Sequence, residues 1–369
     1  MTALFEESSM GALTLRNRLI RSATAEGLAT DDGACTDGLV DLYGTLARGG
    51  VGLIITGYAY VSPLGRSAHK QLGIHHDRLI LGLRKMVKAC HDGGAEVAAQ
   101  LVHGGSQTTL EITGGEDPLA PSAVEDPVYH SLPREMTTED IHEVAGQFAA
   151  AARRAKDAGF DAVELHAAHG YLLSQFLSPK RNRRTDAYGG SVENRTRFAC
   201  DVFQKVRQAV GPDYPILVKI NGQDHVDGGT TLEDSVPLAK ALSDLGADAI
   251  EVSGGTGASG SLGPSRVRIN HPGKEAYSLS DAHEIRKAVS CPVILVGGIR
   301  SLDRILEIMD EEVVDYFAMA RPLIREPDLP NNWKTGIRSN ASCISCNRCF
   351  QTLNEGGLHC VQQKKMLEA

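Results

Sequence analysis

The sequence predicts an α/β protein built as one eight-stranded (β/α)8 barrel, the TIM barrel, with a short cysteine-rich tail. Eight short apolar runs, each bounded by glycine or charge, recur along the chain as buried parallel strands do. Amphipathic helical stretches lie between them. The 369 residues, 42% of them hydrophobic, exceed a barrel of roughly 250 residues only by some insertions and a tail. A doubly wound open sheet would show the same alternation, but eight strands and no Gly-x-Gly-x-x-Gly after the first favour the barrel.

In order, the expected strands are Leu19 to Ala23, Gly52 to Thr56, Val97 to Leu101, Ala162 to His166, Ile216 to Ile220, Ala249 to Val252, Val293 to Val296 and Tyr316 to Met319. Amphipathic helices are expected over Arg78 to Asp92, Thr138 to Ala158 and Leu232 to Leu245. The second of these opens with a threonine cap, Thr137 or Thr138, and carries Glu139 and Asp140 in its first turn. Three long loops, Thr108 to Pro133, Ser178 to Arg195 and Ser253 to Tyr277, each follow a strand, the side on which barrels place their chemistry. Residues 1–335 are assigned to the barrel and 336–369 to the tail.

A formal charge of -8, from 46 acidic against 38 basic residues with no basic block, excludes nucleic acid as a partner. Met1 to Gly11 has no apolar leader core, and no stretch approaches the ~18 apolar residues of a membrane span, so a soluble cytoplasmic protein is expected. Four of the eight cysteines, Cys35, Cys90, Cys200 and Cys291, are scattered, while Cys343, Cys346, Cys349 and Cys360 crowd the tail. That asymmetry points to metal or redox chemistry rather than a disulfide framework.

The densest chemistry lies in His166-Ala167-Ala168-His169-Gly170-Tyr171, at the carboxyl end of the fourth strand. Two imidazoles would hydrogen-bond a carbonyl or nitro oxygen and the phenol would offer a proton. A pair of structural histidines, or two metal ligands, is the competing reading. The segments Val296-Gly297-Gly298-Ile299 and Met319-Ala320-Arg321-Pro322 follow the last two strands, where barrels bind phosphate. Their backbone amides and a short helix N-terminus would hold the dianion, with a charge-assisted contact from Arg321.

Together with His-Ala-Ala-His-Gly-Tyr, the run Arg184-Thr185-Asp186-x-Tyr188-Gly189-Gly190-Ser191-x-Glu193-Asn194-Arg195 carries a specific resemblance. From about Leu4 to Pro330 the chain resembles the old yellow enzyme family of FMN-dependent ene-reductases, in the branch near the dienoyl-CoA reductases and trimethylamine dehydrogenases. The resemblance implies FMN as cofactor and NADH or NADPH as hydride donor. It places Thr24 at the flavin C4 carbonyl region, Ser22 and Ala23 along the same edge, Gly57 at a close backbone approach and Gln100 at the pyrimidine ring. Lys219 falls where relatives often carry arginine near the flavin N1 and C2 carbonyl, and a cation there stabilises the anionic reduced flavin. By resemblance, hydride passes from flavin N5 to an electrophilic alkene held by His166 and His169, while Tyr171 protonates the α-carbon. Glu26 stands where many relatives have an aromatic residue; its carboxylate would bind a polar substrate or, as the favoured reading, face solvent at the rim.

In the tail, Cys343-x-x-Cys346-x-x-Cys349 with Cys360 ten intervening residues later supplies four thiolates. They suffice for a [4Fe-4S] cluster or a structural zinc, and free thiols are the third reading. The spacing resembles the cluster motif of the same branch, with a shorter gap before Cys360. Those relatives continue into a nucleotide-binding region, whereas this sequence ends at Ala369, so a cluster would serve a redox partner subunit or be a relic. Phe350, Leu353, Leu358 and Val361 would anchor the tail on the barrel or on a neighbouring subunit of the homo-oligomer that the resemblance implies. Amine oxidation ranks below alkene reduction, because a cationic amine needs an aromatic cage and the only tryptophan, Trp333, lies beyond the last strand. An electron-transfer subunit fed through the tail is the alternative from another class.

Overall fold

The eight apolar runs become eight parallel strands in the computed structural model, which describes residues 2–367. They are β1 (Leu19–Arg21), β2 (Leu53–Ile55), β3 (Glu96–Val102), β4 (Ala162–Ala167), β5 (Ile216–Asn221), β6 (Ala249–Ser253), β7 (Val293–Val296) and β8 (Tyr316–Met319). Each pairs in parallel with the next, and β8 pairs with β1, Phe317 opposite Leu19, so the sheet closes on itself. The observed bounds of β7 and β8 are those expected, and the other six strands differ from expectation by one or two residues at one or both ends. Strand ends are set by where hydrogen bonding stops, and hydrophobicity does not mark that point.

The connecting helices include α1 (Asp37–Arg48), α2 (Ile80–Asp92), α3 (Thr138–Ala158), α4 (Val192–Val210), α5 (Leu232–Asp244), α6 (Leu279–Ala288) and α7 (Leu302–Asp310). Thr137 and Asp140 cap α3 reciprocally, and Gly159, at φ 94°, ends it in the left-handed conformation that glycine adopts without cost. The helix expected from Arg78 begins instead with a 3-10 turn, Asp77–Leu79, because the His76 ring accepts the Arg78 amide and tightens the first turn.

Side chains alternate along the strands, so one set faces the helices and the other fills the barrel. Leu53, Ile55, Ala98, Ala162, Leu217, Ala249 and Ile294 pack its lower interior. Beneath them a hairpin, Ser8–Met10 with Leu13–Leu15, closes the amino-terminal end with Met10, Leu13 and Leu15. The layers above, toward the strands' carboxyl ends, are polar.

The tail folds back across that polar end. Ala341 N–H donates to the Arg300 carbonyl (2.8 Å), Arg268 N–H to that of Ser345 (3.2 Å), and Leu358 N–H to that of Glu26 (2.7 Å). Of the expected anchors, Leu358 is buried and Phe350, Leu353 and Val361 are half-buried. Gly27, at φ 62°, lies so close to the Leu353 carbonyl that a Cβ would overlap it. Gly27→Ala should therefore loosen the tail at a cost of about 1–3 kcal/mol. Hydrogen exchange should show faster exchange from about Ala341 onward with the barrel strands unchanged; equal protection in variant and wild type would show that the contact carries no weight.

Candidate active site

The register of β3 to β6 determines what meets at the barrel's mouth. Gln100 lies opposite Glu164, Lys219 opposite both His166 and Glu251, and all these side chains are buried. Gln100, Glu164, Lys219 and Glu251 each stand two residues beyond an interior apolar residue, Ala98, Ala162, Leu217 and Ala249, so they form the next layer up.

That layer is one connected network. The Lys219 ammonium lies 3.1 Å from Glu251 Oε2 and donates to Ser22 Oγ at 2.9 Å. Ser22 Oγ in turn donates to Glu251 Oε1 at 2.7 Å, and Gln100 Nε2 donates to Glu164 Oε2 at 2.6 Å. Two carboxylates and one ammonium would leave a net negative charge in a space without solvent. Burial first, then repulsion from Glu251, pushes the Glu164 carboxyl well above the usual carboxylate range. Glu164 is therefore the protonated member. Lys219 is as sequestered as its strand position predicts, but it arrives with a counter-ion that the sequence reading did not assign.

One layer higher stands the His166, His169 and Tyr171 group. His166 Nδ1 accepts the Ala168 amide at 3.3 Å, which places the ring proton on Nε2. Burial, then His169 and Lys219, lowers its pKa well below the usual value, so the ring is a neutral donor. His169 adopts the left-handed conformation at φ 60°; its amide donates to Asn221 Oδ1 (3.1 Å) and its Nε2 lies 2.8 Å from Ser253 Oγ. The Tyr171 ring sits 4.8 Å from that of His166, edge to face, and 5.5 Å from that of Tyr58. Burial, then Tyr58 and Tyr129, holds the Tyr171 phenol well above its usual pKa, so it keeps its proton. No third His, Cys, Asp or Glu joins the two histidines in a metal-sized group; among the described residues the one such group is His91, Glu96 and Asp161, around the barrel's opposite end.

Glu26 requires a correction. It is not at a solvent-facing rim: it is 4% exposed, bonded to the Tyr43 hydroxyl and accepting the Gly57 amide at 2.9 Å. The chain after β1 turns back beneath the end of β2, and α1 delivers Tyr43 to the same point. A Cβ at Gly57 would overlap the Glu26 carboxylate, so the close approach expected at Gly57 is to Glu26. Thr24 Oγ1 donates to the Ser22 carbonyl (3.2 Å) and accepts from the buried Arg21 (2.5 Å), and Ala23 is half-buried beside them.

Gly297, Gly298, Ala320 and Arg321 line one narrow cavity with Tyr277, Ser265 and Ser345. Gly297 and Gly298 have φ of 144° and 75°, and a Cβ on either would press on the Tyr277 ring. The Arg321 guanidinium donates to the Arg266 carbonyl (2.7 Å) and to Asn347 Oδ1 of the tail (2.6 Å). It also borders the cavity lined by Cys343, Cys346, Cys349 and Cys360, so the four tail thiols do converge. No three of their sulfurs lie within 4.8 Å of one another. A tetrahedral zinc, with bonds near 2.3 Å, would draw them to about 3.8 Å.

The sequence reading missed Glu164, Glu251, Tyr58 and Arg21. The first two were visible in principle: each is a single charge inside an apolar strand, Ala-Val-Glu-Leu-His and Ala-Ile-Glu-Val-Ser, in step with Lys219.

The closed parallel barrel thus carries at its mouth neutral imidazole donors, a protonated phenol and a glycine-lined cavity after its last two strands. The chain is a member of the NADH:flavin oxidoreductase / NADH oxidase family, whose pattern matches residues 3–340. It is 41% identical over 360 residues to the NADH oxidase of Thermoanaerobacter brockii, covering 95% of this chain and 54% of that protein. It is 35% identical over 382 residues to the 4,4'-dithiodibutanoate disulfide reductase of Rhodococcus erythropolis, covering 96% and 94%. Among solved structures it is similar to 2-naphthoyl-CoA reductase, with a TM-score of 0.90 at 27% identity over 98% of this chain and 56% of that one. The old yellow enzyme homologue of Zymomonas mobilis matches with a TM-score of 0.80 at 28% identity, over 92% and 94%. The chain thus spans about half the length of the Thermoanaerobacter and naphthoyl-CoA relatives. A match over 98% of the chain includes most of the cysteine tail. No helix among the described residues is long and apolar enough to cross a membrane.

Proposed function

We propose that the protein transfers hydride from NADH or NADPH, through bound FMN, to an electron-poor alkene. The observation that carries this is the pairing of a neutral His166, with its proton on Nε2, and a protonated Tyr171, their rings 4.8 Å apart. Gln100, Lys219, Ser22, Ala23 and Thr24 would hold the flavin ring, and Gly297, Gly298, Ala320 and Arg321 its phosphate, while the Gly57 amide is taken by Glu26. The donor set suits that group: buried amide and ammonium heads at the mouth, and a glycine-lined cavity beside an arginine. FMN, when bound, supplies hydride exchange at N5.

His166 Nε2–H donates to the carbonyl or nitro oxygen that activates the alkene, and His169, oriented by Ser253, donates beside it. Withdrawal of electron density toward that oxygen makes the β-carbon electrophilic. Tyr171 gives its proton to the α-carbon, a contribution of about 10²- to 10⁴-fold in rate. The four tail thiols, spread wider than zinc requires, suit a [4Fe-4S] cluster, which would supply an electron entry from a partner subunit.

The test is the visible spectrum of anaerobically purified protein, with iron and acid-labile sulfide assayed on the same sample. NAD(P)H is added first, then 2-cyclohexenone or a dialkyl disulfide. The expected result is a flavin spectrum that bleaches with NAD(P)H and recovers with the enone. No bound flavin would overturn the reading. Recovery with the disulfide and not the enone would move the substrate toward that of the Rhodococcus relative, and iron with slow direct bleaching would favour the electron-transfer subunit.

A further inference from the structure

Beneath the histidine and tyrosine group lies a buried acid pair that the alkene chemistry does not use. Glu164 and Glu251 are both fully buried, on neighbouring faces of β4 and β6 flanking Lys219 on β5. Glu164 Oε2 is satisfied by Gln100 and Glu251 Oε1 by Ser22. Their other oxygens, Glu164 Oε1 and Glu251 Oε2, are buried without a hydrogen-bond donor in the protein, Glu251 Oε2 having only the Lys219 charge. A carboxyl proton shared between those two oxygens satisfies both.

The surroundings isolate this pair electrically. Among the described residues Lys219 is the one cation bonded to the side chains of this layer; the buried Arg21 on β1 donates instead to the Ser22 carbonyl and to Thr24 and is charge-balanced by Glu26, and His166, one layer above on β4, is neutral. The layer below offers Ala98, Ala162, Leu217 and Ala249; β7 and β8 contribute Ile294, Val296 and Ala318; β2 contributes Ile55. Charge in such a space must balance locally, because uncompensated charge has no solvent to stabilise it. With one ammonium and two carboxyls, neutrality requires one proton on the pair. If a further negative charge appears at the mouth, Lys219 cannot serve both it and Glu251.

We propose that Glu164 and Glu251 form a proton-holding pair that binds one proton when the flavin is oxidised and two when it is reduced. Hydride from NAD(P)H brings two electrons and one proton to the flavin and leaves it with one negative charge. A second proton, taken from water, lands on Glu251 and frees Lys219 to face that charge. The layer is then neutral in both states. When hydride leaves for the substrate, the proton on Glu251 returns to water. The pair acts on the cofactor through Lys219 and touches no substrate, so its role is to position charge.

This inference rests on FMN binding as read above, and the test separates the two. The two-electron midpoint potential of FMN-loaded protein is measured from about pH 7 to about pH 9. Uptake of two protons per two electrons gives twice the slope against pH that one proton gives. Wild type should show the two-proton slope, Glu164→Gln should keep it because Glu251 still pairs with Lys219 when the flavin is oxidised, and the Glu164→Gln/Glu251→Gln double variant, with no carboxyl left to take the second proton, should show the one-proton slope. Infrared difference spectra on reduction should show wild type gaining one protonated carboxyl band, absent in the double variant. FMN bound with a one-proton slope in wild type overturns the inference and leaves the function intact. A protein that binds no FMN overturns both. The wild-type measurement decides even if a variant fails to fold.

Discussion

Replacing Tyr171 by phenylalanine should slow alkene reduction by about 10²- to 10⁴-fold while leaving NAD(P)H-driven flavin reduction unchanged. The substitution deletes only the hydroxyl; the ring keeps its edge-to-face contact with His166 and its packing on Tyr58. Because burial and the neighbouring tyrosines keep the phenol protonated, Tyr171 is an acid at neutral pH and not a base. Its loss therefore falls on the half-reaction that needs a proton. Stopped-flow measurement of the two half-reactions separately checks this. An equal loss in both would mean that Tyr171 supports the flavin pocket, and no loss in either would assign the proton to water.

Lys219→Met should destabilise the protein by about 3–5 kcal/mol, because it leaves the Glu251 carboxylate buried without its cation. The penalty should depend on pH in a definite direction. In the variant, Glu251 escapes by protonation, so its folded-state pKa rises above the unfolded value of about 4.3. A raised folded pKa contributes stability that is present below the unfolded pKa and is lost as pH rises through the folded value. The variant should therefore be weakest on the alkaline side, and urea unfolding at about pH 5 and pH 8 reads the difference. Adding Glu251→Gln should restore most of the loss, since the charge needing a partner is gone. Equal destabilisation by single and double variants would show that packing of the lysine stem, and not charge, is what matters.

The barrel was legible because its strands are buried on both faces, and burial writes continuous apolar runs into the sequence. The cap of α3 was legible for a similar reason: Thr137 and Asp140 act locally. Glu26 was not, since its side-chain direction is decided by Tyr43 from α1 and by the Gly57 amide, neither of them near in sequence. Glu164 and Glu251 were half-legible. Their positions in apolar strands show that they are buried, but that they share a layer with Lys219 emerges only from the barrel's register. The tail's convergence on Arg321 and Glu26 was beyond reading, because an irregular segment carries no period.

The place where the tail docks also bears on how the chain unfolds. β1 and β8 are the first and last strands of the barrel, so their pairing is the strand pairing of greatest sequence separation and has the largest loop-closure cost among the barrel's strand pairs. The tail contacts Glu26 after β1, Arg300 after β7 and Arg321 after β8, which makes it a clasp across that seam. A clasp of this kind forms only after the seam has closed, and interactions absent from the folding transition state slow unfolding without hastening folding. The cysteine segment therefore acts on the lifetime of the closed barrel more than on the speed of its formation.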